Sequence, residues 1–279
     1  MEFFRCTFGD WWPTLMEAPK YGMSIIPEKF IASTRIGKTN VNLSARIEYG
    51  IKVLNIEKTK GNRVKVGARN IITGHQSSFE ADAVIVTVPL TVLRQIDISV
   101  EGYDMKYQRA VANVHYIAFT KIMLQCRTRF WEKDIGNGGL TKTSLPIGTF
   151  CYMKNNSKTK RGVLLVHCAG QDALVFGAQK EEEAIDSAIR QIAKRHPELI
   201  TEFEFGKVKA WFSDSSEQGG VTQFLPYQYS TAIKTLMTPI HPLYLAGEAI
   251  SYSHGWIQGA MESGMDAAYH LYCYDIGRD

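Results

Sequence analysis

Apolar residues along this chain fall into two rhythms, alternating and helical, and their order lays out an α/β protein. Between Ile47 and Val88 the pattern is strand-like: Ile51, Val53 and Leu54, then Val64 and Val66, then Phe79, then Ala83 to Val88, with Gly61-Asn62 and Thr73-Gly74 as turn signals. This predicts a β-meander that returns to a main sheet. Val84-Ile85-Val86 is a β-branched run suited to a strand buried on both faces, and Pro89 ends it. His115 to Gln125 alternates into a second strand system, and Lys207 to Phe212 adds a strand with Trp211 near its end. Helical spacing governs Glu181 to Arg195, where Ala184, Ile185, Ala188, Ile189 and Ile192 lie three and four apart. Glu181 to Glu183 favour the dipole of its first turn, and Pro197 closes it. Pro27 to Phe30 begins a short helical turn.

The segment from His241 to Leu271 predicts strand, turn and helix in succession. Leu243-Tyr244-Leu245-Ala246 is a short apolar run ending in Gly247-Glu248, and Ala260, Met261, Met265, Ala268 and Leu271 recur at near-helical spacing behind Gly255. Small residues at Gly259, Ala260, Gly264, Ala267 and Ala268 would let that helix approach a sheet closely. A helix start carries unpaired N–H groups and partial positive charge, so a turn here suits a ligand bearing negative charge.

Composition narrows the classes. The chain has 279 residues, 45% of them hydrophobic and 22% charged, which is ordinary globular composition with room for one large domain or two modest ones. A formal charge of +4 makes it mildly basic, but the basic groups at Lys58 to Arg69 and Lys154 to Arg161 lack the interleaved aromatics of a nucleic-acid platform, so no nucleic-acid partner is expected. Five scattered cysteines show no zinc-like spacing, and His115 and His254 have no second ligand at metal spacing and are expected to be structural. No apolar run reaches 18 residues, so no membrane span is expected, and MEFFRCTFGDWW does not resemble a secretory signal. Nothing here assigns a compartment.

Several separated segments resemble the flavin-dependent amine oxidases and, within them, the L-amino acid oxidases. LAGEAISYSHGWIQGAMESGMDAA resembles that family's closing FAD-binding segment, and Tyr21-Gly22-Met23-Ser24-Ile25-Ile26-Pro27 its entry to a flavin-domain helix. Between them stand ADAVIVTVPLTVL, HYIAFTKIMLQCRTRFWEKD and EQGGVTQFLPYQY, in the family's order. The resemblance implies part of a Rossmann-like FAD-binding domain of the glutathione-reductase type with a β-meander, plus an α+β substrate domain with a mixed sheet. On that basis residues 1–20 are a remnant of a helical region, 21–95 part of the FAD-binding domain, 96–235 the substrate-binding domain, and 236–279 the last strand and helix of the FAD-binding domain.

The resemblance also implies site roles. Lys121, a charged residue in an apolar strand, matches the lysine that holds a water against flavin N5, although by pattern alone it is an outward-pointing lysine. Tyr152 matches a tyrosine that binds the substrate carboxylate. Gly255, Trp256 and Ile257 match the segment bordering the isoalloxazine ring, with Gly255 and Trp256 also facing substrate, and tryptophan rather than tyrosine at 256 favours the amino acid oxidase branch. Trp211 matches a tryptophan flanking the ring from the other side. Gly247 and Glu248 match the region of the ribityl and pyrophosphate groups, and the backbone around Val53 matches an adenine contact.

No G-x-G-x-x-G string occurs, and Gly136-Asn137-Gly138-Gly139 reads as a surface loop. The expected function is therefore that of the C-terminal portion of an FAD-dependent L-amino acid oxidase, converting an L-amino acid to a keto acid, ammonia and hydrogen peroxide. Two alternatives stand beside it: a non-catalytic remnant serving as a binding or scaffold module without FAD, and a monoamine or polyamine oxidase. Expected partners are an amine or L-amino acid and an N-terminal half-chain, with a homo-oligomer left open.

Overall fold

The computed structural model describes residues 22–277 apart from 33, 37 and 155–157. The expected helical remnant at residues 1–20, together with Tyr21, lies outside the described residues. The chain divides into two compact units, residues 1–82 with 96–100 and residues 83–95 with 101–279.

In the first unit, α1 (Ile25–Ala32) carries Pro27 at its third position, where a missing N–H costs nothing because first-turn donors have no helical acceptor. A small hairpin of β1 (Thr34–Ile36) and β2 (Thr39–Val41) follows. The expected meander is β3 (Ile51–Lys58), β4 (Val64–Asn70) and β5 (Gln76–Ala81), each antiparallel to the next. While β6 (Val84–Val86) belongs to the second unit, β7 (Asp97–Ser99) joins the meander parallel to β3, giving the order β5-β4-β3-β7. Ile56, Val64 and Ala68 are its buried residues. Gly67 faces the bulge between Val53 and Asn55, where an added Cβ would overlap the Asn55 side chain.

The second unit is built on a five-stranded sheet: β9 (Phe119–Cys126), β10 (Gly139–Lys142), β11 (Thr149–Tyr152), β12 (Gly162–Ala169) and β13 (Phe203–Ala210), in the order β10-β11-β12-β9-β13. Every pairing in it is antiparallel, which corrects the expected mixed sheet. Strands β12 and β13 run the same way, but β9 lies between them, so the helical crossover joining them never sets two parallel strands side by side.

That crossover comprises α4 (Gly170–Gly177), α5 (Glu181–Ile192) and α6 (Leu199–Glu202), after α2 (Leu90–Leu93) and α3 (Met105–Asn113) earlier in the unit. Helix α5 turns Ala184, Ile185, Ala188 and Ile192 inward, as its spacing predicts, but ends at Ile192 rather than Arg195. Arg195 and His196 both donate to the Ile192 carbonyl in a closing turn, and Pro197 disfavours helical backbone in the residue before it. The core joins these helices to Ile122, Leu124, Phe150, Tyr152, Leu164 and Val166 of the sheet.

The remaining elements position the candidate site. Strand β8 (Tyr116–Ile117) pairs antiparallel with β14 (Val221–Thr222), α7 (Gln228–Leu236) follows, and β15 (Leu243–Leu245) pairs parallel with β6. Helix α8 (Ile257–Asp275) closes the unit and, with Tyr244 and Ala246, forms a small apolar cluster through Ala267. Its buried face is Gly259, Ser263, Ala267 and Cys273. The expectation for the small residues holds for Ala267, which packs on Tyr244 and Ala246; Gly259 instead lies against Ser251 and Ser253 of the preceding loop, Gly264 has nothing within 4 Å of an added Cβ, and Ala268 is exposed. Met261 and Met265 are likewise exposed.

Candidate functional site

Parallel strands β6 and β15 end side by side, and their carboxyl ends open on a cavity of about 270 Å³, where open α/β sheets place ligands. It is lined by Thr87 to Leu90, Tyr116, Glu217, Gly219, Gly220, Ala246 to Ile250 and Ala260. Gly247 has φ +138 with nothing within 4 Å of an added Cβ, so the chain there is bare toward open space. Its N–H donates to Ser263 Oγ at 2.9 Å, and that hydroxyl lies 2.8 Å from the Gly247 carbonyl, which pins the turn to α8.

Glu248 ties the site together. One carboxylate oxygen accepts from the Thr222 hydroxyl at 2.6 Å and from the Thr222 N–H at 3.3 Å, while the other accepts from the Gly255 N–H at 2.6 Å. Strand β14, the turn after β15 and the start of α8 are thus held by one side chain. Gly255 has φ +80, and an added Cβ would lie 2.7 Å from Val221 Cγ2, so both backbone and packing call for glycine. Trp256 follows as the N-cap of α8, 44% exposed, with Ile257 also exposed.

Among the described residues, no Lys, Arg or His lines the cavity. Its second carboxylate, Glu217, is pushed up by burial and by Asp214, with Lys209 acting the other way. A site so composed suits an uncharged part of a ligand, and its volume is below the roughly 300–1,000 Å³ of whole small-molecule sites. A flavin would bring a ring and a ribityl chain of that uncharged kind, and the residues lining the cavity fit such a group.

Lys121 sits in the middle of β9. Alternation along β9 buries Thr120, Ile122 and Leu124 under the helices and puts Lys121 on the opposite, partly open face. The register sets His167 of β12 directly across from Lys121 on one side and Lys209 of β13 on the other. Cys151 of β11, paired with Leu165, lies on the same face. Burial, reinforced by the Lys121 charge, lowers the His167 pKa and so favours the neutral imidazole. Burial raises the Cys151 thiol, against the pull of Lys121.

Tyr152 falls on the other face. It is 2% exposed, and its hydroxyl is 2.6 Å from His196 Nε2 and 3.0 Å from Thr141 Oγ1 within the helix-covered core. The structure does not bring it together with Lys121. Trp211 begins a short 3-10 turn after β13, with Lys209 Nζ 5.0 Å from its ring centroid and ion-paired to Asp214. Lys121, Trp211, Gly255, Trp256 and Ile257 lie outside the cavity lining, whereas Gly247 and Glu248 are part of it. Val53 lies in β3 of the first unit.

His167, Cys151, Glu217 and Thr222 were not singled out by sequence. The period-two pattern of Gly162 to Ala169 assigns His167 to one face of its strand, but only the pairing of β12 with β9 sets it opposite Lys121. His254 is buried against the rings of Phe224 and Tyr229. Gly139 begins β10, while Gly136 to Gly138 form a loop.

Across residues 6–271 the chain matches the family described as flavin containing amine oxidoreductase. It is 30% identical over 255 residues to the Bacillus subtilis protein YobN, covering 90% of this chain and 51% of that protein. It is also 30% identical over 251 residues to the L-amino-acid oxidase of Sistrurus catenatus edwardsii, covering 88% of this chain and 47% of that protein. The chain thus spans about half the length of these relatives. Among solved structures, cyclohexylamine oxidase from Brevibacterium oxydans superimposes with a TM-score of 0.66 at 16% identity, covering 79% of this chain and 47% of that one.

Proposed function

Because this chain belongs to the flavin-containing amine oxidoreductase family, we propose that it forms part of an FAD-dependent L-amino-acid oxidase, supplying one wall of the flavin site and one face of the substrate site. The observation that carries this reading is the cavity at the carboxyl ends of β6 and β15, bare at Gly247 and lined, among the described residues, by no cationic side chain. When bound, FAD supplies the two-electron chemistry: an L-amino acid, oxygen and water give a 2-keto acid, ammonium and hydrogen peroxide.

The chain's own groups do the placing. Glu248 holds Gly255, and through it sets Trp256 at the start of α8, where the ring offers an apolar wall. Lys121 presents its amino group on the open sheet face, where it can hold a water by hydrogen bonding and stabilise negative charge as it develops. His167, whose neutral form is favoured by burial and by the Lys121 charge, offers hydrogen bonding beside Lys121. Cys151 adds a small apolar surface on the same face. In this reading the polar contact to substrate comes from His167, and Tyr152 works inside the core.

The test is Lys121→Met in the flavin-loaded protein, followed by stopped-flow of the reductive and oxidative half-reactions. At least about a tenfold loss in one half-reaction is expected for removing a preorganised charge. Two unchanged half-reactions would remove Lys121 from the site.

A further inference from the structure

The first unit displays an apolar knuckle that the flavin chemistry does not use. At the β4–β5 turn, Ile71 and Ile72 are 65% and 87% exposed, and Tyr49, next to the Gly50 that packs on Ile71, is 79% exposed. The turn is internally complete. Asn70 Oδ1 accepts from the Ile72 and Thr73 N–H groups at 2.9 Å, the Asn70 N–H donates to the His75 carbonyl at 2.9 Å, and the Ile71 N–H donates to the Gly50 carbonyl at 2.8 Å. Three large apolar side chains are therefore held in water on a rigid frame, which a lone exposed residue would not require.

Behind the knuckle stand cations. Lys52 and Arg69 face each other in the antiparallel register, an arrangement that like charges disfavour, and both are exposed. Among the described residues no carboxylate pairs with either one. Arg46 precedes the knuckle, and Glu48 is the single acid within residues 46–52 and 69–76. A small ligand needs a hollow, and this feature protrudes. Strand addition would use the open edge of β5, which carries none of these three side chains.

We propose that this knuckle is a docking point for an anionic lipid surface, with Ile71, Ile72 and Tyr49 entering the headgroup–acyl boundary while Lys52 and Arg69 meet acidic headgroups. The occupant follows from charge complementarity: two unpaired cations behind an apolar tip match a surface that is acidic outside and apolar beneath. The site is independent of flavin, so its test does not depend on the oxidase reading.

The test is co-sedimentation of the full chain with phosphatidylserine–phosphatidylcholine vesicles (about 1:2) and with phosphatidylcholine alone at low salt. Preferential binding to the anionic vesicles is expected. Lys52→Gln with Arg69→Gln should lower the partition coefficient by about 25-fold, roughly fivefold for each cation. Ile71→Ser with Ile72→Ser should lower it by at least about tenfold. All four positions are exposed, and far-UV dichroism verifies that the variants fold. Absence of sedimentation, equal binding to both vesicle types, or binding that survives either double substitution would overturn the proposal. Retardation by polyglutamate without vesicle binding would also overturn it, in favour of an acidic protein partner.

Discussion

Replacing Glu248 should reveal how much of the site rests on one carboxylate. In Glu248→Gln the amide oxygen can still accept from Gly255, but the amide nitrogen then meets Thr222, whose hydroxyl can turn to accept while its N–H loses its acceptor. Thr222 is 1% exposed, so no water replaces that bond. One buried donor left unpaired, together with exchange of charge-assisted bonds for neutral ones, amounts to about 2–3 kcal/mol. Glu248→Ala removes all three bonds and should cost about 3–5 kcal/mol on the same reckoning. Urea unfolding followed by tryptophan fluorescence reads both, as lower midpoints at an unchanged slope. Exchange of the Gly255 amide with deuterium should quicken in parallel, because its acceptor is gone. If Glu248→Gln shifts stability by less than about 0.5 kcal/mol, or alanine costs no more than glutamine, the carboxylate is not the clamp described here.

Two further outcomes follow from the geometry. Gly255→Ala should destabilise by about 1–3 kcal/mol for its left-handed backbone, plus the overlap with Val221 Cγ2; adding Val221→Ala should restore the second part but not the first, and full restoration in unfolding experiments would count against the backbone argument. Burial, helped by Arg195, lowers the pKa of His196, so the unfolded chain binds a proton there before the folded one does. Stability should therefore decline as pH falls below the unfolded histidine value of about 6.5, and continue to decline until the folded value is passed. His196→Gln should flatten that decline in pH-dependent unfolding, and an unchanged profile would show that His196 does not carry it.

Much of the fold was legible because it follows from local periodicity. The β-branched run at Val84 to Val86, the strand at Leu243 to Leu245 and the 3.6-residue spacing of Glu181 to Ile192 each depend on near neighbours in sequence. What a side chain faces depends on register between strands, and that is where Tyr152 and Lys121 parted. Each alternates correctly in its own strand, but only the pairing of β11 with β12 and of β12 with β9 shows that their parities are opposite. The same limit hid Glu248 as a clamp, since Thr222 lies 26 positions away and nothing local joins them. The expected mixed sheet failed for a related reason: the direction of β13 beside β9 is decided by a crossover that local patterning does not describe.

The most direct test of the account is anaerobic addition of an L-amino acid to the protein carrying its flavin, read by flavin absorbance. The account predicts bleaching of the flavin band, with colour and one equivalent of hydrogen peroxide returning for each equivalent of flavin when oxygen is admitted. A protein that carries flavin yet keeps its colour with L-amino acids, and bleaches only with simple amines lacking a carboxylate, would contradict it.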